Sequence, residues 1–289
     1  MIHTIAETIH QKENPMRTPK ATTTLMILGL AFAVSSARAT LIVSDNFNNA
    51  VMNNGVLEST LNYGPATATG SQTLGIGALD GSALHLGGAS GSIYITAALP
   101  QSISLENVGD FVQMTFDFTT SGGNRGNRVL RYGFFLGAEV DADATGYFLA
   151  GYNQANSAGD DMNSRLVVDT TDINKFYTQD TPTGGTGNIG SNLLLDDVSN
   201  QAIFRVERID VDTMRISGIH GPRDLGFFDH TIDENTATSV DEIWFGIRNR
   251  DTNFTIDNLQ ISAIPEPSTL FLVGSVLLGF LLVNKTRRR

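Results

Sequence analysis

The chain has 289 residues, with 19 lysines and arginines, 30 aspartates and glutamates, and no cysteine. Residues 40–264 hold 11 of the basic and 27 of the acidic residues, which gives this segment a net charge of −16. A field of that sign repels nucleic acid and anionic lipid, so nucleic-acid partners are excluded. The lack of cysteine excludes disulfides, thiolate metal sites and cysteine nucleophiles.

The first 39 residues have the pattern of a secretory signal peptide. Two basic residues precede an apolar run at 25–34, and Ala37-Arg38-Ala39 follows. Charged, apolar and small residues in this order predict a secretory signal peptide, with Ala37 and Ala39 as the small residues of the cleavage site. Thr40 would then begin the mature chain. A buried N-terminal helix is the alternative, but it does not explain the order of the residues.

The central segment, 40–264, is dominated by alternation of apolar and polar residues. In residues 111–119 the apolar side chains of Val112, Met114, Phe116 and Phe118 share one face, as in a half-buried antiparallel strand. Similar segments occur at 129–136, 146–152, 202–209, 213–219, 242–247 and 253–262. Turn residues separate them and no amphipathic helix is evident, so we predict an all-β, two-sheet antiparallel jelly-roll sandwich over 40–264.

The last of these segments contains an irregularity. Its apolar positions shift in phase from Phe254 and Ile256 to Leu259 and Ile261. A β-bulge adds one residue to a strand and so changes which residues share a face. We therefore predict a bulge near Asp257–Asn258.

Two features resemble catalytic motifs only superficially. The segment Gly185–Gly190 spells G-x-G-x-x-G, but that loop binds a dinucleotide only between a strand and a helix, and no helix is predicted there. The central segment has three histidines, His85, His220 and His230, and none lies in a known catalytic signature. We interpret the glycine segment as a surface loop and the histidines as surface or hydrogen-bonded structural residues.

Three carboxylates, Glu139, Asp141 and Asp143, occupy alternate positions and share one face if the segment is extended. Asp141 and Asp143 with Thr145 resemble the opening of an EF-hand-like loop, which makes calcium a candidate ligand. The same stretch partly resembles the E-x-D-x-x-E strand of laminarinase-type glycosidases, in which two carboxyls cleave the glycosidic bond. The second glutamate of that motif falls at Ala144. An ordinary acidic turn is the third interpretation, and we favour it.

Aromatic side chains matter because sugar rings stack on them. Trp244 is the only tryptophan, and strand alternation points it away from its neighbours Ile243 and Phe245. It therefore belongs either to the core or to an outer face. Tyr147 and Tyr152 have the same two interpretations.

The C-terminal segment is apolar and ends in basic residues. Residues 270–283 carry no charge and predict a transmembrane helix. This apolar segment is short for a membrane span, but neighbouring residues and the long basic side chains, which reach to the membrane surface, would extend it. The basic residues would stay cytoplasmic and leave the central segment outside. The anchor residues are Leu270, Phe271, Leu272, Val273, Leu277, Leu278, Phe280, Leu281, Leu282 and Val283, and the basic tail is Lys285, Arg287, Arg288 and Arg289.

Pro265-Glu266-Pro267, the apolar segment and the terminal arginines together resemble the PEP-CTERM sorting signal of Gram-negative bacteria that make exopolysaccharide. With the patterns above, this predicts three regions: an extension with signal peptide at 1–39, a β-sandwich domain at 40–264 and a sorting signal with transmembrane helix at 265–289. The resemblance implies export by the Sec route and transient anchoring in the inner membrane. The membrane protease exosortase would then cut near the Pro-Glu-Pro and send the protein to the cell surface or extracellular matrix.

The central segment also resembles concanavalin-like and laminin-G-like sandwiches, in "GSALHLGG" and in its final strand. We therefore expect a non-enzymatic surface or matrix protein that binds or organises exopolysaccharide. Two alternatives stay open. One is a polysaccharide-cleaving glycoside hydrolase that uses Glu139 and Asp141, and the other is a purely structural surface protein.

Overall fold

The computed structural model describes residues 39–53, 56–64, 67–69, 72–76, 83–88, 92–121, 129–137, 145–152, 165–169, 197–248 and 253–264. All of these belong to one unit, Arg38–Ser268. They form strands, turns and loops, and none is helical. Among them, no helix is long and apolar enough to cross a membrane.

The described residues form 17 β-strands. In chain order they are β1 (Thr40–Asp45), β2 (Val51–Asn53), β3 (Val56–Glu58), β4 (Asn62–Tyr63), β5 (Thr67–Thr69), β6 (Gln72–Ile76), β7 (Leu84–Gly88), β8 (Ser92–Ser104), β9 (Phe111–Ser121), β10 (Val129–Leu136), β11 (Thr145–Tyr152), β12 (Arg165–Asp169), β13 (Asn200–Asp210), β14 (Thr213–His220), β15 (Arg223–Thr231), β16 (Ser239–Arg248) and β17 (Asn253–Ala263).

These strands make two antiparallel sheets. Sheet A has the order β15-β14-β13-β9-β17-β7-β6, and β1 also pairs with β17. Sheet B has the order β12-β11-β10-β16-β8-β4-β3-β2, and β5 also pairs with β8. The prediction of an all-β, two-sheet antiparallel sandwich is confirmed.

The core lies between the two sheets, where the predicted apolar positions meet. Phe116 of sheet A packs edge-on against Tyr132 and Phe245 of sheet B, with ring centroids 4.7 and 5.3 Å apart. Edge-to-face packing of this kind adds about 0.5–1.5 kcal/mol per pair beyond the area that each ring buries. The alternation read from the sequence therefore identifies the inward faces of the long strands correctly.

Sheet B differs from the prediction in one respect, because part of its second face is buried as well. Seven residues of that face form a separate apolar cluster: Tyr94, Val129, Phe135, Phe148, Ala150, Val167 and Trp244. Strands buried on both faces read as almost continuous apolar runs, and "VLRYGFFL" is such a run. The prediction of half-buried strands holds for β9 but is wrong for β10.

The predicted bulge in β17 is confirmed. The register between β17 and β9 shifts between Asp257 and Gln260, and Asn258 has a positive φ of 52°. Asparagine tolerates this left-handed conformation better than most residues, since its short side chain bonds locally. The shift keeps Phe254, Ile256, Leu259 and Ile261 on the core face. One strand thus stays buried along its whole length despite the change of phase.

A buried polar pair lies at one end of the core. The Tyr132 hydroxyl donates to the Ile219 carbonyl oxygen at 3.4 Å and lies 3.2 Å from Nδ1 of His220, whose ring stacks on Phe118 at 4.7 Å. A Cβ on Gly151 would lie 2.2 Å from the His220 ring, so only glycine fits against it. His220 is fully buried, and its Nε2 has no hydrogen-bond partner among the residues that the structure describes. It is therefore structural, although it is not fully hydrogen-bonded as the sequence interpretation assumed.

Stability should depend on His220 in acid. Burial, together with the positive charge of nearby Arg223, lowers the pKa of His220 from 6.5 to about 3. Between these pH values the unfolded chain binds a proton that the folded chain does not, so stability falls as the pH falls. The loss is at most about 1.4 kcal/mol per pH unit. Urea unfolding of the purified protein from pH 7.5 to 4 should show a smaller acid loss for His220→Phe than for the unsubstituted chain.

The two proteins are compared by how steeply the free energy of unfolding falls with pH, because His220→Phe also changes packing against Gly151 and lowers the absolute stability. Above about pH 7.5 both proteins should have the same pH dependence, since His220 is neutral in both states there. An equally steep acid loss in the variant between pH 6 and 4 would show that other groups titrate instead.

Candidate functional site

The sandwich ends directly before the predicted sorting tripeptide. β17 ends at Ala263, and the amide of the next residue, Ile264, donates to the Phe111 carbonyl oxygen at 3.2 Å. Pro265, Glu266 and Pro267, the anchor residues 270–283 and the basic tail 285–289 lie outside the described residues. The last described residue before the predicted sorting segment, Ile264, therefore lies at the C-terminal end of a central strand of sheet A.

The expected N-terminus of the mature chain lies at the same place. Ala39 is exposed at the start of β1, while Ala37 lies outside the described residues. In the antiparallel pair of β1 and β17, Thr40 is the partner of Ala263 and Leu41 that of Ser262. The Cα atoms of such partners are only about 4.5–5.5 Å apart. Both ends of the domain thus leave the sandwich at one corner.

The residues of the predicted calcium site are described only in part. Thr145 begins β11 and pairs with Leu136, whereas Glu139, Asp141 and Asp143 lie outside the described residues. Within the described part of the chain, no group of three or more histidine, aspartate or glutamate side chains is arranged to hold a metal. The calcium site stays a prediction.

The G-x-G-x-x-G segment, Gly185–Gly190, also lies outside the described residues. The strands that flank it are β12 of sheet B and β13 of sheet A, both antiparallel to their neighbours. A dinucleotide loop requires a parallel βαβ unit around it. The strands on either side therefore do not provide that environment.

Trp244 faces away from the inter-sheet core, as alternation predicted, and it is nevertheless fully buried. Its ring stacks on Phe135 at 4.3 Å, and its indole N–H donates to Oε2 of Glu242 at 2.9 Å. Tyr147 lies in the inter-sheet core, where its hydroxyl donates to the Ala237 carbonyl oxygen. The side chain of Tyr152 is not described. Neither Trp244 nor Tyr147 is thus an exposed platform for a sugar.

The exposed aromatic residue is Phe227 on β15, which the sequence interpretation missed. It is 55% exposed, and no other aromatic side chain in the described part of the chain has comparable exposure. The guanidinium carbon of Arg215 lies 4.0 Å from its ring centroid. Arg215 is held in turn by Asp229, with Nε–Oδ1 and Nη2–Oδ2 distances of 2.7 and 2.8 Å.

This ion pair shifts the pKa of both Arg215 and Asp229. The hydrogen bond with Asp229 raises the pKa of Arg215, and the same bond lowers the pKa of Asp229. Both groups are therefore charged at neutral pH. A second set of the same composition lies nearby: the guanidinium carbon of Arg205 is 3.6 Å from the ring centroid of Phe111, and its Nε is 3.1 Å from Glu207.

Comparison with known proteins identifies one segment. The model of the PEP-CTERM protein-sorting motif matches residues 263–289. No curated protein matches the chain in sequence.

Solved structures are similar to the central segment. The Emp47p carbohydrate recognition domain has a TM-score of 0.47 and 12% identity, covering 78% of this chain and 95% of that one. The VIP36 exoplasmic/lumenal domain, in its Ca2+/Man3GlcNAc-bound form, has a TM-score of 0.44 and 12% identity, covering 68% and 84%. A Bacillus subtilis protein of unknown function with a galectin-like fold has a TM-score of 0.43 and 10% identity, and the match covers 70% of this chain and 90% of that one.

The match to the sorting motif begins at Ala263, the last residue of β17. It includes the Pro-Glu-Pro, the apolar residues and the basic residues that the sequence singled out. The chain therefore carries a PEP-CTERM protein-sorting motif at residues 263–289, directly after its β-sandwich.

Proposed function

We propose that this protein is exported, sorted by exosortase to the cell surface or extracellular matrix, and there binds or organises exopolysaccharide through its sandwich. The observation that carries the proposal is the PEP-CTERM motif at residues 263–289. That motif implies export with transient membrane anchoring before processing. The signal peptide with Ala37 and Ala39, the anchor at 270–283 and the basic tail are the parts that would carry out this route.

The end of the sandwich supports release by a cut at the tripeptide. Because β17 ends at Ala263, a cut at Pro265-Glu266-Pro267 removes no strand residue. Ala263 also keeps its partners, Val112 in β9 and Thr40 in β1. Proline at 265 and 267 lacks an amide hydrogen and ends the ladder, which favours an accessible segment there. Processing would thus release a domain with all its strands in place.

The outer face of sheet A supports the binding role. It carries the exposed ring of Phe227 and side chains with both donors and acceptors, Arg215 and Asp229. Sugars present apolar C–H faces and many hydroxyls, so a ring beside fixed polar groups matches their chemistry. The net charge of −16 on residues 40–264 favours solubility outside the cell.

The route predicts opposite results for two changes in the sorting segment. Replacing Pro265, Glu266 and Pro267 together with alanine should leave an uncleaved, membrane-bound form, because the protease would lose its recognition sequence. Deleting residues 270–289 should release the protein without retention, because the anchor would be gone. Cell fractionation and immunoblotting of an internally tagged chain measure both outcomes.

The control is replacement of Ser268, which follows the tripeptide, by alanine; this change should leave cleavage intact. Mass spectrometry of the mature protein provides the decisive measurement. If the released protein still ends at Arg289, processing at the tripeptide does not occur.

Polysaccharide binding can be separated from cleavage in one experiment. The full chain in detergent should be retarded in native gels that contain a glycan to which it binds, and it should release no reducing ends from that glycan. Retardation with turnover that disappears in Glu139→Gln would replace the proposal with a glycoside hydrolase using Glu139 and Asp141. No retardation by any bacterial or algal glycan would leave a purely structural surface protein.

Calcium binding by Asp141, Asp143 and Thr145 is the alternative to the acidic turn that we favour, and it can be tested, because their spacing provides oxygen ligands and the acidic segment would gain from a cation. A ligand at a hundredfold excess over its Kd stabilises the folded state by about 2.7 kcal/mol. The melting temperature should therefore rise by about 5–10 °C in calcium relative to EDTA. The double variant Asp141→Asn/Asp143→Asn should lose this shift.

Magnesium at matched ionic strength is the control, since screening of the negative charge stabilises the chain without a specific site. Equal shifts in calcium and magnesium would assign the stretch to an acidic turn. A calcium shift that persists in the double variant would place the ion elsewhere.

A further inference from the structure

We propose that the outer face of sheet A across β9, β13, β14 and β15 is a glycan-binding surface centred on Phe227, and that its ligand is an uncharged polysaccharide. This inference rests on the proposed function and names its site and ligand class. Four observations support it. A β-bulge exposes Phe227, and an arginine is fixed against one face of its ring. A second set of an arginine, a phenylalanine and a carboxylate lies beside the first, and the positive and negative charges of the surface are equal in number.

Phe227 is exposed because of a β-bulge. Arg223 and Leu225 of β15 are buried, so strict alternation would bury Phe227 as well. The register with β14 shifts instead: Ser217 pairs with Phe227, but Ile219 pairs with Asp224. Two residues of β15, 225 and 226, therefore oppose one residue of β14, and the phase reverses. Bulges redirect side chains in this way and occur next to functional sites.

The bulge is encoded by Gly226. Its φ is +65°, in the left-handed region where glycine has no steric penalty. A Cβ built on Gly226 would meet no atom within 4 Å, so the conformation and not the available space requires glycine. The Gly226 amide donates to Oδ1 of Asp224 at 2.8 Å, which holds the turn in place. The chain thus uses a specific local conformation to bring an aromatic ring to the surface.

The ring is held by a rigid support. Both hydrogen bonds between Arg215 and Asp229 are short, and the guanidinium lies against one face of the Phe227 ring. A bidentate arginine–carboxylate pair fixes the orientation of both side chains. Little side-chain entropy is then lost when a ligand binds, which favours affinity.

A second set of groups extends the surface across four strands. Arg205 covers Phe111 and bonds Glu207, and Glu207 is the cross-strand partner of Arg215. The two adjacent cross-strand rows are Gln113, Arg205, Ser217, Phe227 and Phe111, Glu207, Arg215, Asp229. Three inter-strand spacings make this surface about 14 Å long. Its length suits an extended chain of several sugars better than a single sugar.

The charges of the surface indicate a neutral ligand. Two arginines and two carboxylates balance one another, so no net positive charge is left for a polyanion. The surrounding segment, with a net charge of −16, repels acidic polysaccharide. One exposed ring is also too small an apolar area for a stable protein interface. Hydroxyl groups, in contrast, can accept from guanidinium N–H groups and donate to the carboxylates.

The test is affinity electrophoresis of the full chain in detergent, through gels that contain a soluble neutral glucan or a polyuronate. The unsubstituted chain should be retarded by the neutral glucan, with little change between 50 and 500 mM salt. Phe227→Ala should weaken retention at least tenfold, and Arg215→Lys should weaken it severalfold, since lysine keeps the charge but not the bidentate pair. Phe227→Tyr should keep most of the retention.

The matched control is Val51→Ala, because Val51 is 56% exposed on β2 of sheet B and lies outside this surface. Melting temperatures of all variants should agree within a few degrees, because Phe227 and Val51 are exposed and Arg215 is only partly buried. Full retention of Phe227→Ala and Arg215→Lys would overturn the site while the proposed function stands. Stronger retention in polyuronate would overturn the ligand class. If the unsubstituted chain is retained by neither glycan, the proposed function fails together with the site.

Discussion

The pairing of β17 at the centre of sheet A is the interaction on which the rest of the structure depends. β17 bonds β9 along one side, and on its other side it bonds β7 and then β1, end to end. Its four inward residues, Phe254, Ile256, Leu259 and Ile261, are completely buried. Each contributes about 1.5–3 kcal/mol through burial. The bulge at Asp257–Asn258 makes this continuous burial compatible with the sequence.

Much of this fold could be predicted from the sequence, because its long strands alternate regularly. β9, β13, β14 and β17 have one apolar face each, and the phase change in β17 was enough to locate its bulge. β10 shows the limit of the method. Alternation placed Tyr132 in the core, but it could not show that Arg131 and Phe135 on the other face are also buried. Burial of a second face depends on contacts that are distant in sequence.

The candidate sites differ in how far the sequence shows them. The sorting motif is a contiguous string of residue types, so it can be recognised without any fold. Phe227 and Arg215 are twelve positions apart and meet only because β14 and β15 pair with a bulge at Gly226. Alternation counted from Leu225 would have buried Phe227. The sequence directed attention to Trp244, the rarer aromatic residue, which the structure places in a buried cluster.

The pairing of Thr40 with Ala263 has a mechanical consequence. If the segments before Thr40 and after Ala263 were both held at a membrane, tension on them would act across the first pair of the β1–β17 ladder. When the two strands of a ladder are pulled apart from one end, their hydrogen bonds break one after another, so the ladder resists little force. β9 and β7 are not loaded, so tension would peel off β1 and leave the β9–β17 pair intact. Under such tension, β1 would therefore be the first strand to detach from the domain.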